Sequence, residues 1–129
     1  MRNSPFNEKN LTTVLLLSVL LSLAALPAQS ADIEFALQIE RGKVPANMRV
    51  IRVKQGDNVT LRWSTDRPIV VHLHGYDIEK KLEPGTTADM TFSARATGRF
   101  PVEIHTSNTG AAGHAHGEAP LVQIEVYPR

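Results

Sequence analysis

No cysteine occurs anywhere in the 129 residues. That absence excludes disulfide crosslinks, thiolate metal ligands, thiol nucleophiles and a lipid-modified N-terminal cysteine. An excess of charge of either sign is also lacking, the formal net charge being +1 with histidine neutral. No run of Lys or Arg gathers that charge, so nucleic acid and anionic membrane surfaces are not expected partners. Ser and Thr are plentiful, but no Gly-x-Ser-x-Gly elbow and no glycine-rich phosphate cradle accompanies them. No stretch is convincingly helical and no segment repeats. An independent enzyme is therefore not expected.

One long apolar run is present, from Leu11 to Leu26, interrupted only by Thr and Ser. Arg2 and Lys9 precede it, and Pro27-Ala28-Gln29-Ser30 follows it. A basic start, an apolar middle and a small-residue end make residues 1–30 a secretory signal peptide. The small residues Ala28 and Ser30 favour a cut before Ala31, with one residue later as the alternative. The run is shorter than the ~20 residues of a membrane span, and no basic stop-transfer cluster follows. No membrane attachment is expected after cleavage, and the destination is the periplasm or the outside medium. The remaining domain, residues 31–129, is long enough for one hydrophobic core and not for two. Fourteen Lys and Arg less Arg2 and Lys9, and thirteen Asp and Glu less Glu8, leave twelve of each. The exported domain is neutral apart from its five histidines.

Within that domain, apolar residues alternate with polar ones at a period of two, the signature of half-buried strands. Ile33, Phe35, Leu37 and Ile39 form the first such set, and Gly42 and Pro45 end it. Met48 to Lys54 forms a second, closed by Gln55-Gly56-Asp57. Further sets are Val59, Leu61 and Trp63; Ile69 to Leu73; Tyr76 to Leu82; and Met90, Phe92 and Ala94. Phe100, Val102 and Ile104 follow, in a strand ending near His105, and Val122, Ile124 and Val126 make the last. Seven or eight short strands with regular turn signals predict an all-β, two-sheet antiparallel sandwich with Greek-key connections.

The histidines carry the chemistry. His72 and His74 form one His-x-His pair, His114 and His116 another, and His105 stands alone. In an extended chain, residues i and i+2 point to the same side about 6.6 Å apart, so each pair can offer two imidazoles to one ion. Ile69, Val71 and Leu73 have the opposite parity and fill the core, which turns His72 and His74 outward. By the same parity Glu103 and His105 face away from Phe100, Val102 and Ile104. His114 and His116 lie in a loop of Gly, Ala and polar residues at 107–120, which either closes over an ion held by His74 and His105 or has no role. Glu103 is expected to orient the His105 imidazole. Asp57, Asp66 and Asp77 read as turn residues that bond the backbone. Trp63 and Tyr76 read as packing residues.

The stretch from Val50 to Leu61, then His72-Leu73-His74-Gly75-Tyr76-Asp77, then Pro84-Gly85, then Gly98 to His105, resembles cupredoxin domains in content and order. The likeness covers roughly residues 33 to 127. It is similar to small periplasmic or secreted cupredoxin-like proteins and to the cupredoxin-like domain of periplasmic iron-uptake proteins. The resemblance implies a cupredoxin-like Greek-key β-sandwich of seven to eight strands. It places one ligand at His74 and the others between Ile104 and His116, with His74 and His105 at the same end of the sandwich. The family's cysteine position falls at or beside Ile104, and Met48 and Met90 both lie outside the ligand loop. A blue type 1 copper centre therefore lacks two of its ligand types. His72-Leu73-His74-Gly75 also resembles a copper motif of multicopper oxidases, whose several domains and cysteine this chain does not have.

Two functions from different classes lead, ahead of electron transfer by a copper with only nitrogen and oxygen ligands. One is an exported metal-binding protein in sequestration, delivery or sensing, with a periplasmic protein as a further partner. Neutral imidazoles accept Cu(II), Zn(II) and Ni(II), and Cu(II) binds such sites most tightly, so copper is expected and zinc is the second choice. Only the neutral base binds a metal, so binding weakens in mild acid. The other is a metal-free sandwich used for protein recognition or structural support.

Overall fold

The computed structural model describes residues 29–105 and 119–129. Eight strands follow one another: β1 (Asp32–Ile39), β2 (Val50–Lys54), β3 (Asn58–Thr65), β4 (Ile69–Leu73), β5 (Ile78–Leu82), β6 (Ala88–Ser93), β7 (Gly98–His105) and β8 (Val122–Tyr127). A single 3-10 turn, Ala46–Met48, leads into β2. The strands form a three-stranded sheet, β1-β3-β6, and a five-stranded sheet, β2-β8-β7-β4-β5. Their two inner faces make the core: Leu37, Leu61 and Trp63 from one, Val71, Val102 and Ile124 from the other, all 1% exposed or less.

The period-two pattern produces this burial directly. In β4 the burial alternates from Ile69 through Val71 to Leu73, with Val70 and His72 turned outward. The same alternation runs through β3 and β8. The sandwich is not wholly antiparallel, however. β1 pairs parallel with β3, and β2 parallel with β8, while the remaining pairings are antiparallel. The reason lies in the connections. The short turn Gln55-Gly56-Asp57 closes no hairpin; it carries the chain from the larger sheet to the smaller, so β3 lies beside β1. Alternation specifies which face a residue takes, not which strand lies next to it.

The β4–β5 hairpin positions the histidines. Its connection, residues 74–77, contains Gly75 at φ 83° and Asp77 at φ 55°. Gly75 is required twice over. Its φ lies where only glycine is at ease, and a Cβ there would stand 2.6 Å from Phe100 Cδ1. Tyr76 then packs on Phe92 and Phe100, with ring centroids 4.7 Å and 4.9 Å away. This aromatic stack pins the hairpin to both sheets.

Candidate metal centre

His72 is the outward residue of β4 and His74 the first residue after it, so both leave the five-stranded sheet on its outer face. The ladder between β4 and β7 sets Val70 opposite His105 and His72 opposite Glu103. On the other side of β4, Glu79 of β5 lies opposite His72. The backbone N–H of His74 donates to the Pro101 carbonyl at 3.0 Å and fixes where that residue leaves the sheet.

The three imidazoles gather over β4. Ring centroids are 4.2 Å apart for His72 and His74, 5.0 Å for His72 and His105, and 6.1 Å for His74 and His105. One nitrogen from each ring lies within 4.8 Å of the others. The two flanking rings cover His72, whose side chain is only 14% exposed although it stands on an outer face. Among the described residues, His72 Nδ1 and His74 Nε2 are buried and have no hydrogen-bond partner. Unpaired buried polar atoms are costly in a folded protein, and two of them share this cluster.

Each ring also has a carboxylate beside it. Asp77 Oδ1 lies 3.3 Å from His72 Nε2, in hydrogen-bonding geometry. Glu79 Oε1 lies 3.4 Å from His105 Nδ1. Glu103 Oε2 is 3.0 Å from His74 Nε2, yet the direction is not that of a hydrogen bond, which leaves that nitrogen unpartnered. Three imidazoles ringed by three carboxylates favour a cation.

The arrangement corrects two expectations and extends a third. His74 and His105 are not at one end of β4. His105 sits across from Val70 near its start, whereas His74 follows its last residue, and their rings meet by leaning toward each other over His72. Glu103 stands across from His72, and its carboxylate lies beside His74 rather than His105, though not in hydrogen-bonding geometry. Asp77 is a turn residue as expected, and its carboxylate also reaches His72. Glu79 carried no sequence signal of its own; only the pairing of β5 with β4 brings it in. His114 and His116 lie outside the described residues. Ile104, at or beside which the resemblance puts the family's cysteine, pairs with Val71 and packs against the core. Met90 is buried in β6 and Met48 lies in the 3-10 turn, so neither belongs to the cluster.

Three nitrogens on one side suit a small divalent ion. Metal–imidazole bonds of about 2.0–2.1 Å place ligand nitrogens about 3.3 Å apart in a tetrahedron. The cluster's nitrogens, within 4.8 Å of one another, would have to draw together to reach that spacing.

The fold is that of a cupredoxin-like β-sandwich domain. A chain of a heme-copper terminal oxidase dimer superposes with a TM-score of 0.57 at 19% identity, covering 93% of this chain and 97% of that one. A copper binding protein solved in its apo form matches with a TM-score of 0.55 at 11% identity, covering 78% and 93%. The periplasmic domain of subunit II of cytochrome oxidase from Bradyrhizobium japonicum matches with 0.56 at 15%, covering 79% and 88%. No protein-family model matches the sequence, and no curated protein does.

Proposed function

We propose that this chain is an exported cupredoxin-like protein that binds Cu(II) through His72, His74 and His105 and serves in copper sequestration, delivery or sensing. The observation that carries the reading is the pair of buried, unpartnered imidazole nitrogens inside a three-histidine cluster. A metal satisfies both at once. The likeness to a copper binding protein and to oxidase subunit domains supports copper as the ion. An all-imidazole set favours Cu(II) over Zn(II), and the lack of a thiolate removes both the blue centre and a strong preference for Cu(I). The role is binding rather than turnover. Export through a signal peptide at residues 1–30 places it in the periplasm or outside the cell, where a protein partner would receive or supply the ion. Among the described residues no helix is long and apolar enough to cross a membrane.

Titration of residues 31–129 with Cu(II), followed by EPR, tests this. One stoichiometric site with nitrogen hyperfine structure, lost on His72→Ala or His105→Ala, supports it. An unchanged affinity in those variants sinks the ligand assignment.

A second reading has one observation in its favour. Asp77 already hydrogen-bonds His72, so the cluster is partly satisfied without a metal and could present a polar surface to a protein. Under that reading chelators leave thermal stability unchanged.

A further inference from the structure

Far from the histidines, the corner between β2 and β3 holds Asp57, 3% exposed and the one buried carboxylate among the described residues. Its Oδ2 accepts the backbone N–H of Lys54 at 2.9 Å. Its Oδ1 accepts the backbone N–H of Ala31 at 3.1 Å and also meets the Arg129 guanidinium. Ala31 is held from its other end too, since its carbonyl accepts the Asn58 N–H at 2.8 Å. Arg129 spans the corner, donating to the carbonyls of Gln55 and Gln29. A buried carboxylate thus aims one oxygen at the backbone nitrogen of the residue that would open an exported chain.

We infer that the chain is cut between Ser30 and Ala31 and that Asp57 is the built socket for the new α-ammonium. The inference rests on the export reading. Hydrolysis by an export-associated endopeptidase adds one water across the Ser30–Ala31 peptide bond. Ser30 leaves with a carboxylate and Ala31 keeps a protonated amine. The neutral amide donor on Asp57 becomes a charged donor at the same place, and a charge-assisted bond is the stronger kind. Gln29 departs with the leader and releases one contact of Arg129. A cut one residue later would remove Ala31, and with it both the Asp57 and the Asn58 bonds. The geometry therefore selects between the two candidate cuts. Processing locks the start of β1 to the β2–β3 corner, so the mature fold is more stable than the precursor's.

The charged groups that face the amine are Asp57, Arg129 and, through its bond to the Asn58 amide, Asp32. Lys54 contributes only its backbone there, and Arg95 only the carbonyl that Gln55 bonds. Asp57 favours the charged form of the amine, whose ordinary range is about 7.7–8.0, and the Arg129 guanidinium on the same oxygen opposes it. Stability from the pair is then full below that range and lost as pH rises through the folded value.

Two measurements separate the parts. The intact mass of the protein exported from the full-length precursor reports the cut. A product beginning at Ala31 supports the inference, one beginning at Asp32 overturns the socket, an exported but uncleaved product overturns the cut, and a precursor that is not exported overturns the export reading on which the inference rests. Independently, chains beginning at Ala31 with a free or an acetylated amine are melted between pH 6 and 10, in native and Asp57→Asn backgrounds. The free amine should melt higher at pH 7 by roughly 4–8 °C, on the scale a domain of this size shows for one good interaction. That gap should close at high pH and be absent in Asp57→Asn. Equal melting of the free and acetylated chains overturns the socket, even if Asp57→Asn fails to fold.

Discussion

Gly75 lies directly against Phe100, so that a methyl group on its Cα would stand 2.6 Å from the ring. The contact joins the turn carrying His74 to the strand carrying His105, and it makes the hairpin's position depend on a missing side chain. Gly75→Ala should cost about 1–3 kcal/mol from the left-handed backbone alone, with the clash adding to it. Urea unfolding reads the stability. Because the turn must shift, Cu(II) affinity should fall as well, and the additional change Phe100→Leu should recover part of both losses.

The three carboxylates should matter to the metal without ligating it. Glu79→Gln and Glu103→Gln each remove a negative charge next to one ring, from His105 and His74 respectively. Lost outer partners typically lower metal affinity by about 10–100-fold. Because Asp77 is 98% exposed, water screens its charge well, and Asp77→Asn should have the smallest effect of the three. Competitive chelator titration at fixed ionic strength ranks them. Equal, negligible effects would remove electrostatic focusing from the account of the site.

How much of this was legible in the sequence follows from what alternation can express. The parity of Ile69, Val71 and Leu73 turned His72 outward, and the structure places it so. Parity also put Glu103 and His105 on one face. It carries no information on register, and register decides which carboxylate meets which imidazole. Glu79 joins the cluster only because β5 pairs with β4. The parallel pairing of β1 with β3 was hidden for a related reason: a three-residue turn looks like a hairpin whether or not the chain changes sheet. Asp57 reads locally as a turn residue, and its contact with Arg129 comes from 72 residues away.

Trp63 supplies a test of the core itself. It is fully buried, and its indole N–H has no partner among the described residues. Trp63→Ala should cost about 3–5 kcal/mol through lost burial and the cavity left behind. Trp63→Phe also removes the unpaired donor, which offsets part of the lost volume, so it should cost clearly less. Denaturant midpoints of the two variants give the comparison. A phenylalanine variant as unstable as the alanine one would mean that the indole nitrogen is satisfied in solution.

Acid should unfold the domain through a few identifiable carboxylates. Burial pushes the Asp57 carboxyl up, but the N–H groups of Lys54 and Ala31 and the Arg129 charge outweigh it, and the group is held below its ordinary value of 3.8. The Arg62 guanidinium lowers Asp89 by hydrogen bonding and charge, against a smaller opposing effect of burial. Glu125 is lowered first by the Tyr127 hydroxyl and then by Arg52 and Arg99. A depressed folded value means stability that is complete above the ordinary carboxyl range and lost as pH falls through the folded value. Melting temperature should therefore hold steady down to about pH 5 and decline below about pH 4, and Asp57→Asn should flatten that decline. Asp89→Asn should change the slope less, since its partners on the outer face of the smaller sheet are exposed and screened by water. If both variants kept the parent's acid slope, the carboxylates that set it would have to be sought elsewhere, beginning with those around the histidines.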